Sequence, residues 1–292
     1  MAATLVSLAA GAAAAGAAAA DAQPDQELRG QVALVTGSTD GLGREVALTL
    51  ARSGAHVVVH GRNAERGRAV VDEIMAAGGS ARFFAADFAS LDAVRAFADT
   101  IARTYPKLDL LISNAGVWVQ QGRRTSADGH EMHFAVNYLP GWILAHRLRS
   151  SLEAAKPSRI ISVASIAQSA IDFTDVMLEK PGASARGYGQ SKLAQITMTN
   201  LLAPEFAAAG ITMVSLHPAT MMNTTMVQQS GMAARTTIAE GLDAVMALVR
   251  AATLDPGAYF NGTRRATPNA QATDRTAHAA LRALSQELTR VP

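Results

Sequence analysis

Tyr188 and Lys192 are the pair in this sequence best suited to chemistry. They stand in Tyr188-Gly189-Gln190-Ser191-Lys192, inside a stretch from 187 to 209 whose pattern predicts a helix. Residues four apart on a helix share one face. A phenol with its ordinary pKa of about 10 exchanges protons poorly near neutrality. An ammonium beside it favours the phenolate and turns the tyrosine into a usable acid or base. Such pairs arise often by chance on helices, so the assignment needs support from elsewhere in the chain. Ser165 offers it, at the end of the run Ile161-Ser162-Val163-Ala164-Ser165. Sheets of the doubly wound kind gather their ligands at the C-terminal ends of strands. Ser162 is the rival, three residues earlier and inside the run.

A second cluster lies near the start of the chain. Thr36-Gly37-Ser38-Thr39-Asp40-Gly41-Leu42-Gly43 joins a short apolar run to a helical pattern. Glycines there let the backbone turn sharply and approach a pyrophosphate, while the helix N-terminus offers free N–H groups to the anion. The next apolar run ends in Val59-His60-Gly61-Arg62-Asn63. A carboxylate at that place would hold the ribose 2′-hydroxyl of NAD, and none is present. The Arg62 guanidinium instead suits a 2′-phosphate, so NADP is the expected dinucleotide. Asn63 is a second phosphate contact, an N-cap for the following helix, or both.

These groups need a scaffold that brings strand ends together. Six short apolar runs, at 31–36, 55–60, 81–86, 108–113, 159–164 and 211–216, read as strands covered on both faces. Helical patterns fill the gaps at 41–53, 64–77, 91–104, 128–155 and 187–209. Strand and helix in alternation predict an α/β fold: a single doubly wound (Rossmann) parallel sheet with helices on both faces.

With the motifs placed on that scaffold, the chain resembles the short-chain dehydrogenases/reductases over nearly all of 31–288. Thr-Gly-x-x-x-Gly-x-Gly is similar to their cofactor motif. The resemblance implies that Gly37 makes the turn while Ser38, Asp40, Gly41, Leu42 and Gly43 line the pyrophosphate. It also implies that Asp87 bonds the adenine amine, with Phe88 where a smaller aliphatic is usual. Asn114-Ala115-Gly116 resembles the family's Asn-Ala-Gly segment beside the cofactor ribose. Asn137, Ser165, Tyr188 and Lys192 match its four catalytic positions. Ser165 then bonds the substrate oxygen, Asn137 holds a water that links Lys192 to solvent, and Tyr188 and Lys192 also touch the cofactor. Pro218-Ala219-Thr220 resembles the segment next to the nicotinamide, with Ala219 in place of glycine. Either Thr220 or Thr224 bonds the carboxamide there. Asp128-Gly129-His130-Glu131, the gap between Ser165 and Tyr188, and Leu281-Arg282-Ala283-Leu284-Ser285 look most like the retinol-dehydrogenase and WW-domain-oxidoreductase side of the family. That likeness implies a lipophilic alcohol or carbonyl substrate. The alternative is a non-catalytic protein that senses a dinucleotide on the same fold.

Composition narrows the rest. The 26 basic and 24 acidic residues are interspersed and leave a net charge of +2, which offers nucleic acid no basic surface. With no cysteine, disulfides, thiolate nucleophiles and cysteine metal sites are excluded. His130 and His133 sit three apart without further ligands nearby, so no metal is expected. Residues 1–28 are rich in Ala and Gly and read as a low-complexity leader outside a domain spanning 29–292. They are too weakly apolar for a stable membrane span. Ala20-Asp21-Ala22 resembles a cleavage site, yet no basic residue precedes the apolar stretch. An inert leader on a cytoplasmic enzyme and an exported protein are the two readings. A small-molecule substrate and a possible homo-oligomer complete the expected partners.

Overall fold

The computed structural model describes residues 27–291. The apolar runs form strands because their β-branched and leucine side chains are buried on both faces, as in β1 (Val32–Val35) and β4 (Leu110–Ser113). The others are β2 (His56–Gly61), β3 (Ser80–Ala85), β5 (Ser158–Val163), β6 (Ile211–His217), β7 (Tyr259–Asn261) and β8 (Arg264–Ala266). The sheet order is β3-β2-β1-β4-β5-β6-β7-β8. All neighbours are parallel except β8, which returns antiparallel to β7. Strand order reverses beside β1, which opens a crevice between the ends of β1 and β4, where such sheets bind ligands.

Two apolar cores sandwich the sheet. One is closed by α1 (Gly41–Arg52), α2 (Ala64–Ala76) and α8 (Ile238–Arg250). The other is closed by α3 (Leu91–Thr104), α4 (Leu139–Arg147), α5 (Arg149–Ala155), α6 (Gly187–Ala208) and α9 (Arg275–Thr289). The short helix α7 (Thr225–Gln229) follows β6. Among the described residues no helix is long and apolar enough to cross a membrane.

The six expected strands are present, and the sheet extends by two more. β7 and β8 have three residues each, too short for periodicity to reveal. The helix expected over 128–155 is corrected to three shorter elements. Gly129 has φ 81°, which holds 126–130 in a turn. A five-residue π-helical turn, Phe134–Tyr138, follows, and then α4 with Pro140 in its first turn, and α5. Leu28, assigned to the leader by composition, is 7% exposed within the α1-side core, and its N–H donates to Ser53 O at 2.9 Å. Residues 1–26, with the leader and its cleavage-site resemblance, lie outside the described residues.

Candidate active site

Helix α6 carries Tyr188 and Lys192 on one face near its N-terminus. It is buried almost all round, so a lysine on it loses water. Lys192 is 4% exposed, and its Nζ donates to Val163 O at 2.9 Å. Burial pushes the Lys192 ammonium down to about 8. Nζ lies 5.6 Å from the centre of the Tyr188 ring. Burial raises the Tyr188 phenol, and the facing Ser165 hydroxyl pulls it the other way. Gly187 and Gly189 flank the tyrosine and let α6 seat this closely. A Cβ on Gly187 would stand 2.7 Å from His133 Nδ1, and one on Gly189 2.4 Å from Ser169 Oγ.

Ser165 follows β5, buried, with its carbonyl accepting from the Tyr259 hydroxyl at 3.0 Å and from Gln168 Nε2 at 3.1 Å. Its Oγ accepts from the Ala167 N–H at 3.0 Å. Ser162 lies inside β5, fully buried, and its Oγ accepts from the Thr199 hydroxyl at 3.4 Å. Asn137 sits in the π-helical turn, a local widening often found at functional sites. Its Oδ1 accepts from Val117 N at 2.7 Å and its Nδ2 donates to Ser191 Oγ at 3.0 Å, tying the loop after β4 to α6. The four expected catalytic residues therefore converge from three separate segments.

His133 is spent on structure. Its Nε2 accepts from Val119 N at 2.9 Å, which leaves Nδ1 to donate to the buried Glu131 carboxylate at 2.7 Å. That carboxylate also accepts the N–H groups of His133 and Phe134. The pair braces the segment carrying Trp118, whose ring lies 4.6 Å from that of Tyr188. On the other flank, burial and then the Lys192 charge push His217 down to about 4, and its Nε2 bonds Thr220 Oγ1 at 3.0 Å.

At the cofactor end, Gly37 has φ +65°, and a Cβ on it would meet Ala115 Cα at 2.8 Å. A Cβ on Gly43 would meet Gly37 O at 2.4 Å. The turn therefore has room for backbone alone, and its N–H groups lead into the N-terminus of α1. That cradle fits a dinucleotide pyrophosphate. Asn114 secures it, its Nδ2 donating to Thr36 O at 2.9 Å, while Ala115 N donates to Thr36 Oγ1. Ser38 is committed within the turn. Its side chain is fully buried, Oγ donates to Val35 O at 2.7 Å, and its N–H donates to His60 O at 2.8 Å. Ser38 holds the turn from behind, and its hydroxyl proton is spent on Val35 O. Asp40 caps α1, accepting from Gly41 N at 2.8 Å, and Leu42 is buried beneath the helix start.

Asn63 is the N-cap of α2, accepting from Arg66 N at 2.9 Å. Arg62 is exposed at the end of β2, and Arg66 is exposed one turn into α2, with Nη1 3.4 Å from Asp40 Oδ2. Sequence reasoning missed Arg66, although its place three residues after the N-cap was readable. A Cβ on Gly61 would stand 2.5 Å from Thr39 Cγ2, so Thr39 fills the space a carboxylate there would need. Asp87 is exposed beyond β3, one oxygen accepting from Ala89 N at 3.0 Å. Gly116 lies beside Asn137, and Pro218 is buried after β6. Thr224 caps α7 and faces Gly41 across the turn, while Thr220 is tied to His217.

A family model described as short chain dehydrogenase matches residues 31–235. The chain belongs to the short-chain dehydrogenase family. Retinol dehydrogenase 11 of Mus musculus is 38% identical over 199 residues, covering 67% of this chain and 63% of that protein. The match thus spans less than two thirds of that relative's length. It agrees with the retinol-dehydrogenase side to which the motifs pointed. A metagenomic short-chain oxidoreductase solved in complex with NADP is 31% identical, with a TM-score of 0.56 over 66% of this chain and 84% of that one. A 7α-hydroxysteroid dehydrogenase complexed with NADH and 7-oxo glycochenodeoxycholic acid is 25% identical, with a TM-score of 0.59 over 70% and 76% of the two chains. The two structures carry different dinucleotides, so similarity leaves that choice to this chain's own residues.

Proposed function

We propose that this short-chain dehydrogenase is an NADP(H)-dependent oxidoreductase acting on a lipophilic carbonyl or alcohol, with Tyr188 as the proton donor or acceptor. The convergence of Tyr188, Ser165, Lys192 and Asn137 carries the reading. A bound nicotinamide dinucleotide supplies or accepts the hydride. Ser165 would hydrogen-bond the substrate oxygen beside the Tyr188 hydroxyl. Lys192, charged below about pH 8, favours the Tyr188 phenolate across a medium poor in water. Asn137 anchors the start of a proton path behind Lys192. Arg62 and Arg66, with no carboxylate at Gly61, support a 2′-phosphate. Trp118 and Ile166 support an apolar substrate. They are 38% and 49% exposed, and one packs on Tyr188 while the other follows Ser165. Large apolar side chains left open beside a polar centre mark a binding wall.

The test is a panel of aldehydes, ketones and secondary alcohols of increasing apolar size, followed by the absorbance of the reduced dinucleotide. Turnover that grows with apolar size and prefers NADPH supports the reading. Tight NADPH binding without turnover on any member would favour a dinucleotide sensor.

A further inference from the structure

His60 takes no part in the chemistry above, yet it joins three segments of the cofactor site. It is 2% exposed at the end of β2. Its Nδ1 accepts the Gly37 N–H at 3.0 Å, which leaves Nε2 to donate to Ala86 O at 3.3 Å. Its own N–H donates to Ser38 Oγ at 3.0 Å. The ring stacks on Phe88 with centroids 4.0 Å apart and 22° between planes, and meets Phe97 at 4.8 Å. Phe88 follows Asp87, so the glycine turn, the strand end and the corner beyond β3 are fastened through one imidazole. Accepting on one nitrogen and donating on the other requires the neutral ring. Burial supplies it, pushing His60 down to about 4 against the opposing pull of the Ala86 carbonyl and Asp87.

We propose that His60 is a positioning residue for the dinucleotide, locking the Gly37 turn to the Ala86–Asp87 corner so that the pyrophosphate seat and the adenine wall stand assembled before binding. The inference rests on the dinucleotide-binding reading above. Its physical basis is preorganisation: a turn already held in its binding shape is not ordered at the expense of affinity. A buried histidine that merely satisfies its own polar atoms would matter to stability and not to affinity.

Two variants separate these roles. His60→Asn keeps an acceptor where Nδ1 stands, and His60→Leu has nearly the same shape without one. Each is titrated with NADPH, following the fluorescence of the reduced nicotinamide without substrate, and each is melted unliganded. We expect His60→Leu to raise the NADPH Kd about tenfold, as for one buried N–H left without its partner, and His60→Asn to regain most of that. Equal Kd values for wild type and His60→Leu, or equal weakening in both variants, would overturn the proposal. Should His60→Leu fail to fold, Phe88→Leu is read in the same titration. It loosens the ring without orphaning a donor, and an unchanged Kd there overturns the proposal too. A wild type that binds neither NADPH nor NADH instead removes the reading on which the inference rests.

Discussion

Lys192→Met should make this protein more stable at neutral pH while abolishing its activity. In the fold, burial moves the Lys192 ammonium from an ordinary 10.5 down to about 8. At pH 7 the lysine is still charged, so the folded state carries a penalty of about 3 kcal/mol for that buried charge. Methionine removes the charge at similar volume. It also deletes the 2.9 Å bond to Val163 O, a loss of about 1 kcal/mol. The net gain is about 1–3 kcal/mol, or a rise in Tm of roughly 2–6 °C. The pH dependence identifies the cause. Below about pH 8 folded and unfolded chains both hold the proton, and the penalty is present in full. Between about 8 and 10.5 the unfolded chain keeps a proton that the folded chain has lost, so wild type gains on the variant as pH rises. The assay is paired thermal melts of both proteins without cofactor at pH 7 and pH 10. A variant that melts below wild type at pH 7, or a gap of equal size at both pH values, refutes the reasoning.

Tyr188→Phe keeps the ring against Trp118 and removes the proton, so turnover should fall by at least about 100-fold with the NADPH Kd within about twofold of wild type; retained turnover rejects the assignment. Arg62→Ala with Arg66→Ala should cut the NADPH-over-NADH ratio of kcat/KM by about tenfold, chiefly by weakening NADPH, and an unchanged ratio would move the 2′-phosphate elsewhere. A gain of NADH use through Gly61→Asp needs Thr39→Ala alongside, because Thr39 fills the place of the new side chain. Leu28→Ala should lower stability by about 2–3 kcal/mol in a denaturant melt, since it opens a hole in the α1-side core; a loss under half of that would return Leu28 to the leader.

The fold was legible wherever burial imposed a pattern on neighbouring residues. β1, β2 and β4 to β6 are rich in apolar residues because helices cover both faces of the sheet, and such runs stand out in any window. β7 and β8 are held by pairing with β6 and with each other, a property of partners and not of three residues. The 128–155 stretch is apolar enough for one helix. Its breaks come from a left-handed glycine and a π-helical turn that the apolar spacing conceals. Leu28 was lost to composition, since a single leucine beside an Ala-rich segment looks like more of it.

The site divides along the same line. Tyr188 and Lys192, or Gly37, Gly41 and Gly43, act through spacing within one element, and spacing is what a sequence displays. The residues that hold them act across the chain. His60 reaches Gly37 over 23 positions, Asn137 reaches Ser191 over 54, and Tyr259 reaches Ser165 over 94. Ser38 shows how the two kinds are confused. Its place inside the glycine motif implies a ligand contact, but a hydroxyl that donates its one proton to Val35 O and accepts from the His60 N–H has no proton left for a phosphate oxygen. In this turn the N–H groups of Gly37 and Ser38 are spent on His60, the backbone from Thr39 to the start of α1 would face a dinucleotide, and the side chains of Thr36, Ser38, His60 and Asn114 are committed to holding that backbone still. Substitutions at those four positions should therefore act on cofactor affinity through the shape of the turn, whereas substitutions at Tyr188 or Lys192 act on the proton. Steady-state kinetics with a direct NADPH titration separates the two groups, and a Thr36→Val variant that lowers kcat while leaving the NADPH Kd unchanged would break the division.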